Sequence, residues 1–246
     1  LNDRRILTTI TPVIYGSDSA LSHYKTKMGM TELDISTVKE AGKARKNKIN
    51  VINVSSDDIK IEEGKESVSS GKIAVLALEK AAQDISTGAI DVIVTAPISK
   101  SVCQKAGFDF PGHTEYFSSL SNGAEALMLL SSSIMKIALV TTHVALKDVS
   151  ERISTENIIL KTKIFEQSLK KDFGIRKPKI AVLSLNPHSG EDGKMGNEEK
   201  EVIIPAINKL KEEGIMAFGH FLQMDFLDLK RKTALMEYYQ CITIKG

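Results

Sequence analysis

The sequence predicts an α/β fold, in which helices pack on a parallel or mixed sheet. Short apolar runs alternate with stretches of helical periodicity along most of the 246 residues. The runs that predict strands are TPVIYG, INVINV, AIDVIVTAP, KIALVTTH and KIAVLSLNP, and AIDVIVTAP is the clearest candidate for a buried strand. The pattern holds as far as Gly219 and decays beyond it, so we expect the residues after about 219 to be poorly packed.

Three longer helices are predicted between these strands. Ser70 is expected to cap a helix over about 72–86, whose apolar residues recur on one face. The stretch STENIILKTKIFEQSLKKDFG predicts a second helix, with Gly174 just past its end. The stretch NEEKEVIIPAINKLKEEG has an acidic first turn and a basic last turn, as the helix dipole favours. Pro205 within it predicts a kink or a later helix start.

Composition and charge argue against several classes of protein. With a net charge of +2, the chain shows no sign of binding a nucleic-acid backbone. It contains no signal peptide and no run of about 18 apolar residues, so we expect a cytoplasmic protein without membrane partners. Cys103 and Cys241 are far apart and form no CxxC pair, which argues against disulfides and thiolate metal sites.

Three of the five histidines lie at comparable places in the predicted fold. His143 ends the strand KIALVTTH, His188 follows KIAVLSLNP, and His113 lies in the loop FPGHTEYF. Ligands of α/β folds collect at the carboxyl ends of strands, so such histidines can converge in space. His143 and His188 are therefore candidates for a divalent ion, with Asn186, Glu191 and Asp192 as possible supporting groups. The alternative is that these histidines are structural and that the acids only decorate a loop.

The Gly-His-Thr sequence formed by Gly112, His113 and Thr114 precedes a predicted helix. A helix start offers backbone N–H groups, and here a hydroxyl and an imidazole accompany them, which suits an anionic group such as phosphate. The alternative is an ordinary N-cap turn. The chain contains no GxGxxG after a strand, no P-loop, no HExxH and no GxSxG, so a Rossmann dinucleotide site is unsupported.

Four longer stretches resemble one enzyme family. DVIVTAPISK, FPGHTEYF, IALVTTH and AVLSLNPHSGEDGKMGNEE, in this order and spacing, look like 4-hydroxythreonine-4-phosphate dehydrogenases of pyridoxal phosphate biosynthesis. The resemblance covers roughly Thr11 to Gly219. It implies a fold like that of isocitrate and isopropylmalate dehydrogenases, with two α/β domains around a cleft, and a homodimer.

The resemblance also implies an activity and its site residues. Members of the family oxidise the 3-hydroxyl of 4-phosphohydroxy-L-threonine with NAD, and the β-keto acid then loses carbon dioxide to give 3-amino-2-oxopropyl phosphate. A divalent cation (Zn, Mg or Co) assists as a Lewis acid. Matched position by position, His113 and Thr114 correspond to the substrate-binding pair, and His143 and His188 correspond to two of three metal-binding histidines.

The chain departs from the family pattern at both ends. It starts with Leu1 and lacks the strand and GDxxGIG loop that precede the segment matching Thr11, so we expect a fragment or a processed product. After Gly219 the family continues with GPFPADGFF and then MYHDQG, whose histidine is the third metal ligand. This chain reads GHFLQMDFLDLKRKTALMEYYQCITIKG instead and lacks the last third of the family's length. We predict a partial first domain over 1–100, a second domain with the substrate and metal motifs over 101–219, and a non-native tail over 220–246.

A one-base deletion near codon 220 accounts for this tail. With one base inserted after the codon of Gly219, suitable codons for 219–228 read Gly-Pro-Phe-Pro-Ala-Asp-Gly-Phe-Phe-Gly. In the same frame, codons for 236–246 read Gly-Val-Leu-Ser-Met-Tyr-His-Asp-Gln-Gly. Resequencing the DNA across that codon tests the hypothesis, and an intact reading would refute it.

Other functions remain open on the sequence alone. A related dehydrogenase of phosphorylated four-carbon sugar acids would use the same residues. A metal-dependent phosphohydrolase would also be served by this set of His, Asp and Thr side chains. A folded, non-catalytic remnant is the third alternative, because two histidines without a third ligand would bind a metal weakly.

Overall fold

The computed structural model describes residues 4–56, 61–221 and 239–243. Contacts between Cα atoms divide the chain into two compact units, Leu1–Ala124 and Glu125–Gly246, here called the N-unit and the C-unit. Both combine helices with a sheet made mainly of parallel strands, so the predicted α/β class is confirmed. The boundary between these units lies after Ala124, and the predicted domain limits stay a prediction. Among the described residues, no helix combines the length and the apolar character needed to cross a bilayer.

The N-unit contains a three-stranded parallel sheet. Its strands are β1 (Val13–Gly16), β2 (Ile35–Thr37) and β3 (Ile49–Asn53), with β3 in the middle. The predicted strands TPVIYG and INVINV correspond to β1 and β3. Four of the five residues of β3 are buried, as expected of a central strand with covered faces.

The described residues of the N-unit include four α-helices, namely α1 (Asp18–Lys27), α2 (Val68–Ser86), α3 (Lys100–Lys105) and α4 (His113–Leu120). The prediction that Ser70 caps α2 is wrong, because the Ser67 hydroxyl accepts a hydrogen bond from the Ser70 N–H at 3.2 Å. The Ser70 hydroxyl instead donates to the Ser67 carbonyl at 2.7 Å. The helix therefore begins one turn earlier than predicted.

Helices α3 and α4 pack on α2, which explains the position of the domain boundary. One hydrophobic cluster joins the three helices and the loops between them. Its buried members are Val75, Leu78, Ala82, Cys103, Phe108 and Tyr116. Because residues 101–120 share this core with α2, the His113 motif belongs to the N-unit.

The segment AIDVIVTAP is not a buried strand in the structure. Residues 92–99 form neither helix nor strand, and the side chains of Val92 and Val94 are 72% and 91% exposed. Its β-branched residues favour an extended backbone, but a strand also needs a neighbour to pair with. In the described part of the chain no sheet includes this segment, so the prediction of a buried strand is wrong.

We predict that Gly71→Ala destabilises the N-unit. A Cβ at Gly71 in α2 would lie 2.6 Å from Val102 Cγ1 and 2.7 Å from the Val102 carbonyl oxygen in α3. Relieving this overlap is expected to cost about 1–3 kcal/mol of unfolding free energy, against a gain of at most about 1 kcal/mol in helix propensity. Urea unfolding measures the difference. Gly42→Ala is the matched control because its Cβ would meet nothing within 4 Å; equal stability of the two variants would contradict the prediction.

The C-unit contains a five-stranded sheet. Its strands are β4 (Leu129–Ser131), β5 (Lys136–Leu139), β6 (Lys179–Leu183), β7 (Ala217–Phe221) and β8 (Tyr239–Thr243), in the spatial order β4–β5–β8–β6–β7. Only β4 pairs antiparallel with its neighbour, and the other pairings are parallel. Residues along β6 alternate between two clusters on opposite faces, as the two-residue period of a strand requires.

Helices α5 (Val149–Arg152), α6 (Thr155–Lys171) and α7 (Ile204–Glu212) accompany this sheet. Helix α6 is the predicted second helix, capped by the Ser154 hydroxyl, which accepts from the Asn157 N–H at 3.1 Å. A π-helical turn over Glu199–Ile203 leads into α7, which begins at Ile204. The later helix start that Pro205 predicted is therefore confirmed. The fully buried large side chains of the shared core are Ile158, Phe165, Leu169, Ile180, Ile203, Leu210 and Ile242.

The prediction of poor packing after residue 219 is wrong for the parts of the tail that the structure describes. Strand β7 continues to Phe221, and β8 lies between β5 and β6 with Ile242 fully buried. The sequence YQCITI has the β-branched residues that favour a strand, and β5 and β6 offer it two edges to pair with. Residues 222–238 and 244–246 lie outside the described residues, and the frameshift hypothesis stays a prediction.

Candidate functional site

The Gly-His-Thr motif forms the start of α4. Gly112 occupies the N-cap position with an extended backbone, and no side chain in the described structure caps the helix. His113 is half-buried and Thr114 is exposed at the first two helical positions. Because Gly112 has no side chain, the amides of the first turn keep their capacity to donate to an external acceptor. The predicted helix start is confirmed, and its chemistry suits an anion.

Lys100 lies over the same glycine, and the sequence reasoning did not identify it. A Cβ at Gly112 would lie 3.9 Å from Lys100 Nζ and 3.2 Å from Glu115 Oε2. An ammonium group thus lies beside Gly112, the N-cap residue of α4. The sequence signal that could have identified Lys100 was its position at the end of DVIVTAPISK, one of the stretches that resemble the family.

Two serine hydroxyls fix the start of the helix that carries Lys100. Ser99 occupies the N-cap position of α3, where its hydroxyl accepts no bond from the helix and instead donates to Glu66 at 2.5 Å. Ser101 donates to the other oxygen of Glu66 at 3.2 Å. The Glu66 carboxylate therefore ties α3 to the residues that precede α2.

His143 lies four residues after the end of β5 and does not itself end the strand as predicted. The strand pairing extends past Leu139 through the Val140 N–H, which donates to the Thr243 carbonyl of β8 at 2.8 Å. The backbone of His143 then turns into the left-handed region with φ of 55°, and the residue is exposed. A non-glycine residue pays about 1–2 kcal/mol for this conformation, and such strain is concentrated at functional positions.

His188 lies in a longer left-handed stretch, within residues 186–196, here called the His188 loop. Six consecutive residues have positive φ, between 40° and 94°: His188, Ser189, Gly190, Glu191, Asp192 and Gly193. Four of them are not glycine, so the turn stores several kcal/mol of backbone strain, at about 1–2 kcal/mol per residue. Surrounding contacts must hold the loop in this shape.

The buried carboxylate of Glu199 supplies such contacts. Glu199 is 1% exposed and lies in the π-helical turn before α7. Its Oε1 accepts hydrogen bonds from the N–H groups of Leu185 and Asn186 at 2.9 and 2.7 Å. Its Oε2 accepts one from Asn186 Nδ2 at 2.9 Å, and the same amide donates to Glu198 at 2.7 Å. Sequence reasoning missed Glu199, although the paired acids in GNEE were visible.

The glycines of the His188 loop are explained by this packing. A Cβ at Gly190 would lie 2.7 Å from the Gly196 carbonyl oxygen and 2.9 Å from Glu199 Oε2. A Cβ at Gly196 would lie 2.5 Å from Asn186 Nδ2, and Gly196 has φ of 130°. These positions therefore need glycine for both space and backbone conformation.

The suggested supporting groups of His188 have other partners. Asn186 bonds to the two glutamates, and the acids of the loop lie beside lysines. Glu191 is 4.0 Å from Lys194 and Asp192 is 3.5 Å from Lys200. Asn186 thus supports the loop, while Glu191 and Asp192 take part in solvent-exposed ion pairs.

The donors for a metal ion are incomplete in the described structure. His143 and His188 follow β5 and β6, and β8 lies between these two strands. The two strands are therefore about 10 Å apart, twice the usual spacing. Within residues 4–56, 61–221 and 239–243, no three His, Cys, Asp or Glu side chains cluster to hold an ion. Imidazoles suit Zn²⁺ or Co²⁺ as ligands, but these two would need further donors.

Comparisons with known proteins agree with the motifs. The family model "Pyridoxal phosphate biosynthetic protein PdxA" matches residues 8–231. The 4-hydroxythreonine-4-phosphate dehydrogenase of Bacteroides thetaiotaomicron is 42% identical over 227 residues, which are 92% of this chain and 62% of the relative. That of Sulfurihydrogenibium sp. is 41% identical over 84% of this chain and 63% of its own length.

Solved structures show the same fold. The crystal structure of a 4-hydroxythreonine-4-phosphate dehydrogenase from Burkholderia phymatum superposes with a TM-score of 0.81 at 27% identity, over 98% of this chain and 74% of that one. This chain spans about six tenths of the length of the two curated relatives described above. The match of the family model over residues 8–231 shows that the chain belongs to the PdxA family of pyridoxal phosphate biosynthetic proteins.

Proposed function

We propose that this chain belongs to an NAD-dependent 4-hydroxythreonine-4-phosphate dehydrogenase. The observation that carries the proposal is the match of the family model to residues 8–231, together with relatives of that name at 41–42% identity. The substrate is 4-phosphohydroxy-L-threonine and the product is 3-amino-2-oxopropyl phosphate. The proposal includes the homodimer and the isocitrate/isopropylmalate-dehydrogenase type of fold that the resemblance implies.

The reaction has two chemical stages. In the first, the C3–H bond breaks, the hydride leaves C3 with its electron pair, and the 3-hydroxyl loses its proton to give a ketone. In the second, the carboxylate β to that ketone leaves as carbon dioxide, and the electron pair of the broken bond forms an enolate that is protonated. When bound, NAD supplies the hydride acceptor and a divalent cation (Zn, Mg or Co) supplies Lewis acidity.

The residues of the N-unit support the binding of a phosphorylated substrate. The start of α4 presents the first-turn amides, the Thr114 hydroxyl and the His113 imidazole. Lys100 adds a positive charge beside Gly112. Helix N-termini and lysines are both common partners of phosphate groups. We assign these three side chains and the first-turn amides to holding the anionic part of the substrate.

The histidines of the C-unit support a role in binding the cation, but they do not by themselves supply a complete set of ligands. His143 and His188 would each give one imidazole nitrogen to the cation, and other donors would have to complete the set. The proposed reaction therefore rests on membership of the family. None of the described residues is assigned to binding NAD.

A coupled NADH assay tests the proposed function. The chain and its frame-restored form are supplied with 4-phosphohydroxy-L-threonine, NAD and a divalent ion. NADH formation by the frame-restored protein is the expected result. Release of inorganic phosphate without NADH would favour the phosphohydrolase alternative. A preference for phosphorylated four-carbon sugar acids would favour the related dehydrogenase, and absence of both products would favour a non-catalytic remnant.

We predict that Lys100→Ala weakens binding of the phosphorylated substrate. Loss of one ammonium–phosphate interaction is expected to raise the Kd about tenfold, equal to about 1.4 kcal/mol. Calorimetric titration of the substrate measures this effect and needs no turnover. Lys105→Ala is the matched control, since Lys105 is exposed at the other end of α3. If the two variants bind equally well, the assignment of Lys100 is wrong.

A further inference from the structure

We propose that Glu199 is a positioning residue for His188. Its buried carboxylate holds the His188 loop in the left-handed conformation from which the imidazole is presented. The inference rests on the proposed function for the purpose of that imidazole, while the positioning itself follows from contacts within the C-unit. Glu199 touches neither the imidazole nor, in the proposal, the substrate.

The hydrogen bonds of Glu199 reach the backbone where β6 gives way to the loop. The last sheet bond on this side runs from the Ser184 N–H to the Phe221 carbonyl at 2.9 Å. The next two N–H groups, of Leu185 and Asn186, donate to Glu199 Oε1. The carboxylate therefore takes over from the sheet as the acceptor and sets the direction in which the chain enters Pro187 and His188.

The middle of the loop, at Gly190, lies beside the same carboxylate. Glu199 Oε2 lies close above Gly190, where a Cβ would come within 2.9 Å. The Met195 N–H donates to the Gly190 carbonyl at 3.1 Å, which closes the turn. One side chain thus bonds to the residue two before His188 and lies beside the residue two after it, so it supports the first half of the left-handed stretch.

For the hydrogen bonds of Glu199, the length of the side chain matters more than its charge. The donors to Glu199 are backbone and amide N–H groups, and the lysines nearest the loop lie beside Glu191 and Asp192. Hydrogen bonds depend steeply on distance and direction. A glutamine has the same length and keeps an oxygen acceptor, whereas an aspartate keeps the charge but is one methylene shorter.

The experiment compares Glu199→Asp with Glu199→Gln in the full chain by amide hydrogen exchange. In E199D, exchange at Leu185 and Asn186 is expected to accelerate at least about tenfold, because their acceptor is withdrawn. In E199Q, the acceleration is expected to be clearly smaller than in E199D, because the amide oxygen can still accept both backbone bonds and only the bond from Asn186 Nδ2 is lost. Parent-like exchange at both amides in E199D, or a larger effect in E199Q than in E199D, would overturn the inference.

Two controls separate positioning from general damage. Glu201→Gln changes an exposed acid in the same turn and is expected to leave both amides at the parent rate. Amides of Ile158 and Phe165 in α6 report whether the core remains folded. If E199D also loses protection there, Asn186→Ala provides the milder test. It removes only the side-chain donor and is expected to accelerate exchange at Asn186 at least about threefold; an unchanged rate would overturn the inference.

Binding of Co²⁺ alone, followed by its visible absorption, keeps this inference separate from the proposed function. E199D is expected to bind Co²⁺ at least about tenfold more weakly than the parent chain, as loss of supporting groups usually does. E199Q is expected to restore most of the affinity. If His188→Ala binds Co²⁺ like the parent, the proposed ligand role of His188 is wrong, whereas the amide exchange still decides the positioning. Weak binding in E199D with parent-like exchange would overturn the positioning.

Discussion

Replacing His188 by alanine is expected to lower NADH formation by the frame-restored enzyme at least about 100-fold, equal to about 2.7 kcal/mol of transition-state stabilisation. The reason is the loss of one of the two imidazoles that the proposed function assigns to the cation. Fewer donors weaken metal binding, and the proposed oxidation then lacks its Lewis acid. Steady-state kinetics at saturating NAD measure the loss.

The matched control for this variant is His23→Ala. His23 is an exposed histidine of α1 that lies 3.3 Å from Glu63, and its side chain is 43% exposed. Its removal is expected to leave NADH formation within about twofold of the parent rate, since exposed ion pairs contribute little. Activity of the His188→Ala enzyme close to that of the control would contradict the assigned role.

Phe165→Ala is expected to have the largest effect on stability, about 3–5 kcal/mol. Phe165 lies in the middle of α6 with no exposed surface, in the cluster that joins α6, α7 and the C-unit sheet. The substitution removes the ring and leaves a cavity that the surrounding helices and strands fill only in part. Because a domain is stable by only about 5–15 kcal/mol, the variant is expected to unfold at much lower urea concentrations.

Phe173→Ala is the matched control for the core substitution. Phe173 follows α6, is 39% exposed, and has Lys136 Nζ 4.7 Å from its ring centroid. Its removal is expected to cost no more than about 1 kcal/mol, which covers the exposed cation–π contact. Urea midpoints of the two variants measured under one set of conditions test the difference. Equal midpoints would mean that α6 does not anchor the C-unit core.

The spacing of apolar residues predicted those helices and strands whose buried face can be read from their own sequence. Helix α6 has Ile158, Ile159, Phe165 and Leu169 at helical spacing, and all four are buried as predicted. Strands β5 and β6 were also predicted, because their runs are apolar and bounded by polar residues. In these cases the periodicity itself carries the information.

Elements that depend on distant partners were not predictable in this way. The segment 89–97 has a more regular apolar run than β8, yet β8 lies in a sheet and 92–97 does not. The difference is set by the available edges of β5 and β6, which are remote in sequence from β8. The left-handed turn at His188 likewise depends on Glu199, eleven residues later, and only its glycines hinted at it.

The central position of β8 has a consequence for biosynthesis. The other strands of the C-unit leave the ribosome first, and the pairing of Leu139 with Thr243 closes a loop of about a hundred residues. Until β8 is made, the edges of β5 and β6 that pair with it lack a partner strand, and their N–H and C=O groups are unpaired. The nascent chain therefore passes through a stage in which extended segments of other molecules can compete with β8 for pairing with these edges.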